Sequence, residues 1–159
     1  SDFISNYSWR GLNMEMRWFV NEQFSAGVFF NWNTFYQKLS GEFVDGTRTL
    51  TGTQQRYINV FPVMVEGHYY FTDDFSAVRP YLGAGIGTQY TRQRTDMGIF
   101  RSDRDAWQFA VAPSLGVLFG TGGGSSVNLA IRYYYAPKAG NLLSEVTYLG
   151  TSLGFAWGN

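Results

Sequence analysis

One histidine, His68, stands in a chain without cysteine, so chemistry that needs a group titrating near neutral pH has to be built on that residue. Any Ser-His-acid site would have to use His68 as its base. A lone histidine offers no metal ligand set, and neither a metal nor another cofactor is expected. The other suggestive charges are Glu66, two positions before His68, Glu15 and Arg17, again two apart, and Arg132. Side chains two apart project from one face of a strand, so each pair would share a surface. A network of ion pairs and hydrogen bonds in a confined interior suits Glu15, Arg17, Glu66, His68 and Arg132 better than catalysis. Leaving one such charge unpaired in a dry interior costs on the order of 3–5 kcal/mol; the alternative is a water-filled interior that merely solvates them. Gly83, Gly85 and Gly87 repeat the two-residue spacing, but no helix follows to supply the terminal N–H groups of a phosphate cradle.

These residues fall in segments where apolar and polar side chains alternate, the mark of strands with unlike faces. In a strand over about 9–20, Leu12, Met14, Met16 and Trp18 oppose Gly11, Asn13, Glu15 and Arg17. A second, near 24–37, sets Phe24, Ala26, Val28, Phe30 and Trp32 against Ser25, Gly27, Phe29 and Asn31. In a third, 57–71, Glu66 and His68 turn inward with Met64 and Tyr70 while Phe61, Val63, Val65, Tyr69 and Phe71 turn outward. The fourth, 79–90, carries its glycines on the inner face, which predicts room for bulky neighbours such as Tyr70 or Tyr134. The fifth, sixth and seventh present Trp107 to Phe119, Val127 to Tyr135 and Thr147 to Trp157 outward, with Arg132 and Tyr134 inward on the sixth.

The charges occupy the face opposite the aromatic residues, the inverse of a soluble barrel with an apolar interior. No run approaches the ~20 apolar residues of a membrane-spanning helix, leaving strands of ~9–11 residues as the only way across a bilayer. The fold expected is therefore all-β, an antiparallel up-and-down transmembrane β-barrel forming a single domain over 1–159. Trp18, Phe71, Phe119 and Trp157 would form one aromatic girdle and Trp32, Tyr90, Trp107 and Tyr135 the other. The connections 21–23, 72–78 and 120–126 are compact, whereas 38–56, 92–105 and 136–145 are longer and more polar; with the hairpin signal Asp45-Gly46, 38–56 is expected to continue the second and third strands as a protruding ribbon, and 92–105 to form a second long loop or ribbon. Short turns and the C terminus are expected on the periplasmic side of a bacterial outer membrane, long loops outside. Pro62 and Pro113 each remove a ladder donor, and bulges are expected to absorb them. Seven strands are visible where such barrels have an even number, so an eighth is expected upstream of residue 1, the chain starting inside the first external loop of a longer precursor; a strand from a partner chain is the alternative.

With RPYLGAGIGTQY at 79–90 and YLGTSLGFAW at 148–157, the chain resembles the small outer-membrane barrel superfamily of the OmpA membrane domain, OmpX and OmpW, and the first motif is similar to Bacteroidota-type barrel domains. The resemblance implies membrane insertion and an interior closed by ion pairs. It also implies that Phe155 and Trp157 act in the signal read by the barrel-assembly machinery, with Gly158 and Asn159 following them. In the lipid enzymes among such barrels the catalytic groups lie toward the external leaflet, whereas His68 precedes a periplasmic turn; it is expected instead to be packed against Glu66 or Tyr134.

With 12 basic and 12 acidic residues the chain is neutral, which argues against nucleic acid as a partner. The expected role is a non-enzymatic structural or accessory subunit of an envelope complex, contacting outer-membrane lipids and other envelope proteins. Arg92, Arg94, Arg101 and Arg104 are candidates for holding carboxylates or lipopolysaccharide phosphates. The alternative is a narrow barrel of the OmpW kind that binds or passes a small apolar solute.

Overall fold

A computed structural model describes residues 11–45, 48–72, 76–97, 100–122, 125–142 and 144–157. They form seven strands, β1 (Gly11–Phe19), β2 (Phe24–Asp45), β3 (Arg48–Tyr70), β4 (Val78–Met97), β5 (Phe100–Gly122), β6 (Ser125–Ala136) and β7 (Val146–Trp157). All pair antiparallel with their sequence neighbours in one sheet of order β1-β2-β3-β4-β5-β6-β7, curled into a half-barrel. The alternation seen in the sequence sets the curl: the inner row of β3, from Val60 through Pro62, Met64, Glu66 and His68 to Tyr70, is buried, while Val63, Val65, Gly67 and Tyr69 between them are exposed. None of the described residues forms a helix long and apolar enough to cross a membrane, a fact silent on crossing by strands.

Two of the three long polar stretches are paired ribbons, as expected for 38–56 and as one of the two alternatives for 92–105, while the stretch between β6 and β7 is a loop. β2 and β3 remain paired out to Asp45↔Arg48, with the Asp45-Gly46 signal at the tip, where residues 46 and 47 lie outside the described ones. β4 and β5 stay paired to Met97↔Phe100. Both hairpins run on as ribbons from one end of the sheet, called the upper end below. At the lower end Asn21 Oδ1 accepts from the N–H groups of Gln23 and Phe24 at 2.9 and 2.8 Å, an Asx turn that reverses the chain between β1 and β2.

The prolines behave differently from the expectation of bulges. The β2–β3 ladder lapses opposite Pro62 but resumes in the same register, Phe30↔Val63 on one side and Asn33↔Val60 on the other. The β5–β6 ladder does the same around Pro113, with Val111↔Tyr135 and Ser114↔Arg132. A missing N–H removes a bond without adding a residue, so the register holds; the one shift between these strands lies at Gly120 and Gly122.

The concave side is filled. Phe29, Ile58, Val60, Met64, Ala110, Ala112, Tyr134, Ala136 and Val146 pack in its upper part, and Tyr70, Tyr81, Leu118 and Ala130 in its lower part. The inner glycines admit these groups, though not the neighbours expected: a Cβ at Gly83 would strike Ser114 and His68, and one at Gly116 would strike the Tyr81 ring. Tyr134 instead lies over Gly150 on β7, while Tyr70 packs against Tyr81. Gly116→Val is therefore expected to lower the stability of the folded protein by about 1–3 kcal/mol through overpacking against Tyr81. Gly67→Ala, on the convex side where a Cβ meets nothing within 4 Å, should stay within about 0.5 kcal/mol. Urea titration of both variants checks the pair.

Candidate functional site

Glu15 and Arg17 come from β1, Glu66 and His68 from β3 and Arg132 from β6, and strand alternation turns all five to the concave side. Arg132 Nη2 donates to both oxygens of Glu66, at 2.8 and 3.1 Å, and to Glu15 Oε2 at 3.3 Å. The Arg132 guanidinium also lies over the Phe29 ring, 4.0 Å from its centre. Arg17 donates through Nε to Glu15, through Nη1 to the Tyr70 hydroxyl at 3.0 Å and through Nη2 to the Tyr81 hydroxyl at 2.8 Å. The Tyr81 hydroxyl in turn donates a hydrogen bond to Asn128 Oδ1 at 3.0 Å, so one chain of bonds links β1, β4 and β6 across the interior. Two carboxylates and two guanidinium groups thus neutralise one another.

His68 completes the cluster beside Glu66, one of its two expected neighbours, and beside Ser25, which was not expected. Its Nδ1 lies 3.3 Å from Ser25 Oγ, which is itself 3.2 Å from the Tyr70 hydroxyl. Its Nε2 stands 3.6 Å from both Glu15 Oε1 and Glu66 Oε2. Tyr134 is not its partner: that hydroxyl sits one layer higher and accepts from Asn31 Nδ2 at 3.2 Å.

Ser25, His68 and Glu66 therefore adjoin in the order of a Ser-His-acid site. Ser25 keeps only 3% of its surface, its hydroxyl is shared with Tyr70, and the acid is committed to Arg132. A nucleophile that no substrate can reach argues for packing rather than catalysis. Glu15, Glu66 and His68 also bring one ligand atom each within 4.8 Å of one another. A divalent cation there would add two charges to a buried cluster that is already neutral, because each carboxylate is held by an arginine. The donor set fits mutual neutralisation, not a metal.

Several participants escaped the sequence reading. Arg79 is buried at the lower end, where Nη2 donates to the Glu22 carbonyl at 2.6 Å and the guanidinium lies over Tyr70, 4.6 Å from the ring centre. In the upper part Gln89 donates to Thr91, Thr91 to Gln108 Oε1 at 2.7 Å, and Gln108 to the Pro137 carbonyl at 2.7 Å. Arg79, Tyr81 and Gln89 all share the parity of the glycine row, a signal the sequence did carry.

On the convex side Trp32 stacks on Phe61 at 6.1 Å between ring centres, Phe61 meets Tyr90 at 6.2 Å, and Tyr90 meets Trp107 at 5.4 Å, an unbroken aromatic belt over β2 to β5. Tyr135 is exposed on β6. Trp18, Phe71 and Phe119 are exposed near the lower end, where Tyr69 joins Phe24 to Phe71; the Trp157 side chain lies outside the described residues. From Phe61 to Phe71 along β3, a rise of ~3.3 Å per residue at a tilt of ~40° separates the two levels by about 25 Å.

In the β4–β5 ribbon each candidate arginine has a partner within the chain. Arg92 Nη2 reaches Asp103 at 3.4 Å, Arg94 and Arg101 both donate to Asp96 at 2.9 Å, and Arg104 donates to the Asn141 carbonyl at 3.3 Å. The Arg94 hydrogen bond, assisted by that of Arg101, holds the Asp96 carboxyl below its ordinary value.

These features describe a curled all-β wall with a neutral ionic interior and an apolar, aromatic-belted exterior. No protein-family model matches the chain, and no curated protein does.

Glu66→Gln or Arg132→Met alone is expected to cost about 3–5 kcal/mol by stranding a buried charge, whereas the double variant should lose clearly less than the sum; a double-mutant cycle in urea reads this. Because the Asp96 value is depressed in the folded ribbon, its contribution is present above the ordinary carboxyl value and is lost as pH falls through the folded one. Amide protection over 92–105, taken relative to the intrinsic exchange rate at each pH, should be unaffected by Asp96 titration between neutrality and that ordinary value and should fall as pH drops through the folded one.

Proposed function

We propose that this protein is an integral outer-membrane β-barrel without enzymatic activity, serving as a structural or accessory subunit of an envelope assembly. The observation that carries the reading is the inversion of the wall: Ile86, Trp107, Phe109, Leu115, Leu149, Leu153 and Phe155 are each more than half exposed on the convex side, while the charged groups are locked together on the concave one. In water that arrangement would leave the larger apolar surface unburied; in a bilayer it is the ordered one. Belts about 25 Å apart match the height of the apolar band of such barrels. Lipids of that membrane would cover the convex face, with the short turns periplasmic and the ribbons external.

The filled interior favours a structural subunit over a conduit, since Phe29, Met64, Tyr70, Tyr81 and Tyr134 are almost wholly buried along its length. Partners then have the two ribbons to hold. Because Arg92, Arg94 and Arg101 already serve aspartates, lipopolysaccharide phosphates or partner carboxylates would have to compete for them, and an exchange of ion pairs with another envelope protein is the better use of a ribbon carrying both signs. Removing residues 42–49 from the full-length protein is expected to abolish its co-purification in a stoichiometric complex after gentle detergent extraction, while leaving it folded in the membrane and silent in planar-bilayer conductance. A complex that survives that deletion, or stepwise conductance from the unaltered protein, would contradict the assignment.

A further inference from the structure

Four strands outrun the others at the upper end. The β5–β6 ladder stops at Val111↔Tyr135, whereas β5 stays paired with β4 to Met97↔Phe100. On the far side Gly11 of β1 pairs with Asn33, and β2 continues to Asp45. Among the described residues β2 to β5 therefore form a curved wall on one side of the mouth, with β6 and β7 a low sill opposite. The connection between β6 and β7 bends inward across the mouth. Gln108 Nε2 donates to the Pro137 carbonyl at 2.7 Å, Arg104 Nη1 donates to the Asn141 carbonyl at 3.3 Å, and Leu142 is buried. The wall thus stands over a closed floor.

The two faces of that wall differ in charge. Over residues 33–38, 55–60, 91–96 and 101–106 every acidic residue, Asp96, Asp103 and Asp105, has the parity of the convex face. Arg92, Arg94 and Arg101 share that face, and each contacts one of these aspartates. Parity turns Arg56 and Arg104 the other way. Register then sets Gln37, Arg56, Thr95 and Ser102 side by side in one rung, with Gln93 and Arg104 in the rung below. Those six supply cations, amides and hydroxyls but no carboxylate. With strands ~4.8 Å apart and a rise of ~3.3 Å per residue, the Cα atoms of the two arginines lie about 12 Å apart, within reach of one bound segment. Arg104 gives one N–H to the neutral Asn141 carbonyl, and a guanidinium has further donors for an anion.

We propose that the concave face of this wall is the docking surface for an acidic segment of another envelope protein, entering over the β6–β7 sill and resting on the 137–142 connection. This rests on the reading above of the protein as a subunit of an envelope assembly, and it assigns the contact to one face. Carboxylates of the segment complement Arg56 and Arg104, whose forked donors suit them, while the amides and hydroxyls between the arginines bond to its backbone. Lipid phosphates are the poorer occupant, because under that reading lipids cover the convex side and the concave face is turned away from them. A second copy is poorer too, since its Asp96 and Asp103 are already held by its own arginines.

The test uses the full-length protein in its native membrane, with photoreactive benzoylphenylalanine replacing Ser102 on the concave face or Tyr36 on the convex one, both exposed. Irradiation, protease digestion and mass spectrometry then identify what is attached. Ser102 should give one protein adduct whose attached peptide is rich in Asp and Glu, and Tyr36 should not give it. That adduct should fall to the level of the Tyr36 control when Arg56→Gln and Arg104→Gln are combined, and return in part with Arg56→Lys and Arg104→Lys. With both arginines in place it should decline as salt is raised, a measurement that holds even if the Gln variant fails to fold. A partner attached from Tyr36 but not from Ser102, an adduct indifferent to substitution and salt, an attached peptide without acids, or a lipopolysaccharide adduct from Ser102 would overturn the inference while leaving the subunit reading intact. So would the lack of any protein adduct from Ser102 while a stoichiometric complex still co-purifies. The lack of any complex after gentle detergent extraction would overturn the subunit reading, and this inference with it.

Discussion

Mutual neutralisation of charges in a narrow, largely buried interior is the constraint on which the rest of this structure depends. Glu15, Arg17, Glu66 and Arg132 lie on three strands that are not all neighbours, and only the curl of the sheet brings them within hydrogen-bonding distance. The cluster is thus a consequence of the curl and also a lock on it. Flattening the sheet would separate the ion pairs and return each charge to an environment without a partner. Because the pairs link β1 to β6 directly, they hold the ends of the sheet closer than strand pairing alone does.

Shape complementarity does the remaining work inside. Tyr81 rests against Gly116 and His68 against Gly83, so two bulky side chains fit where a Cβ would collide. Tyr70, Tyr81 and Arg17 then form the floor beneath the cluster, while Tyr134 and Tyr148, stacked at 4.3 Å between ring centres, form its roof. Aromatic hydroxyls suit this task because the ring fills volume while, in Tyr70, Tyr81 and Tyr134, its tip meets a buried polar neighbour. The convex face shows no such fitting of one side chain into another's missing Cβ; alternation with β-branched and aromatic residues is enough to set it.

Alternation made the strands and their facing legible from the sequence, since a strand reports its two sides residue by residue. The inward placement of Glu15, Glu66, His68 and Arg132 follows from parity alone. What parity cannot report is which inward residues meet across the interior, because that depends on register between strands and on the tightness of the curl. Hence, of the two neighbours expected for His68, Glu66 lies beside it and Tyr134 does not, Ser25 was not foreseen there, and Arg79 and Tyr81 went unrecognised although they share the parity of the glycine row. The first ribbon was legible from its Asp45-Gly46 signal and the second only as a loop or a ribbon, because cross-strand partners such as Arg94↔Asp103 and Asp96↔Arg101 emerge only from a fixed register. The prolines were weighed as if each had to be absorbed by a bulge, whereas loss of one donor leaves the count of residues, and so the register, unchanged.

The central claim is that the convex face meets lipid, and depth-resolved fluorescence quenching tests it most directly. An environment-sensitive fluorophore placed in turn at Ile86, Leu115 and Ile131 of the full-length protein, reconstituted in vesicles of brominated lipids, should be quenched most by bromine near the bilayer centre. A fluorophore at Trp32 or Trp107, in the upper belt, should be quenched most by bromine near the headgroups. Equal and weak quenching at every site, together with efficient quenching by aqueous iodide, would mean that the convex face is turned to water or to protein and would contradict the account.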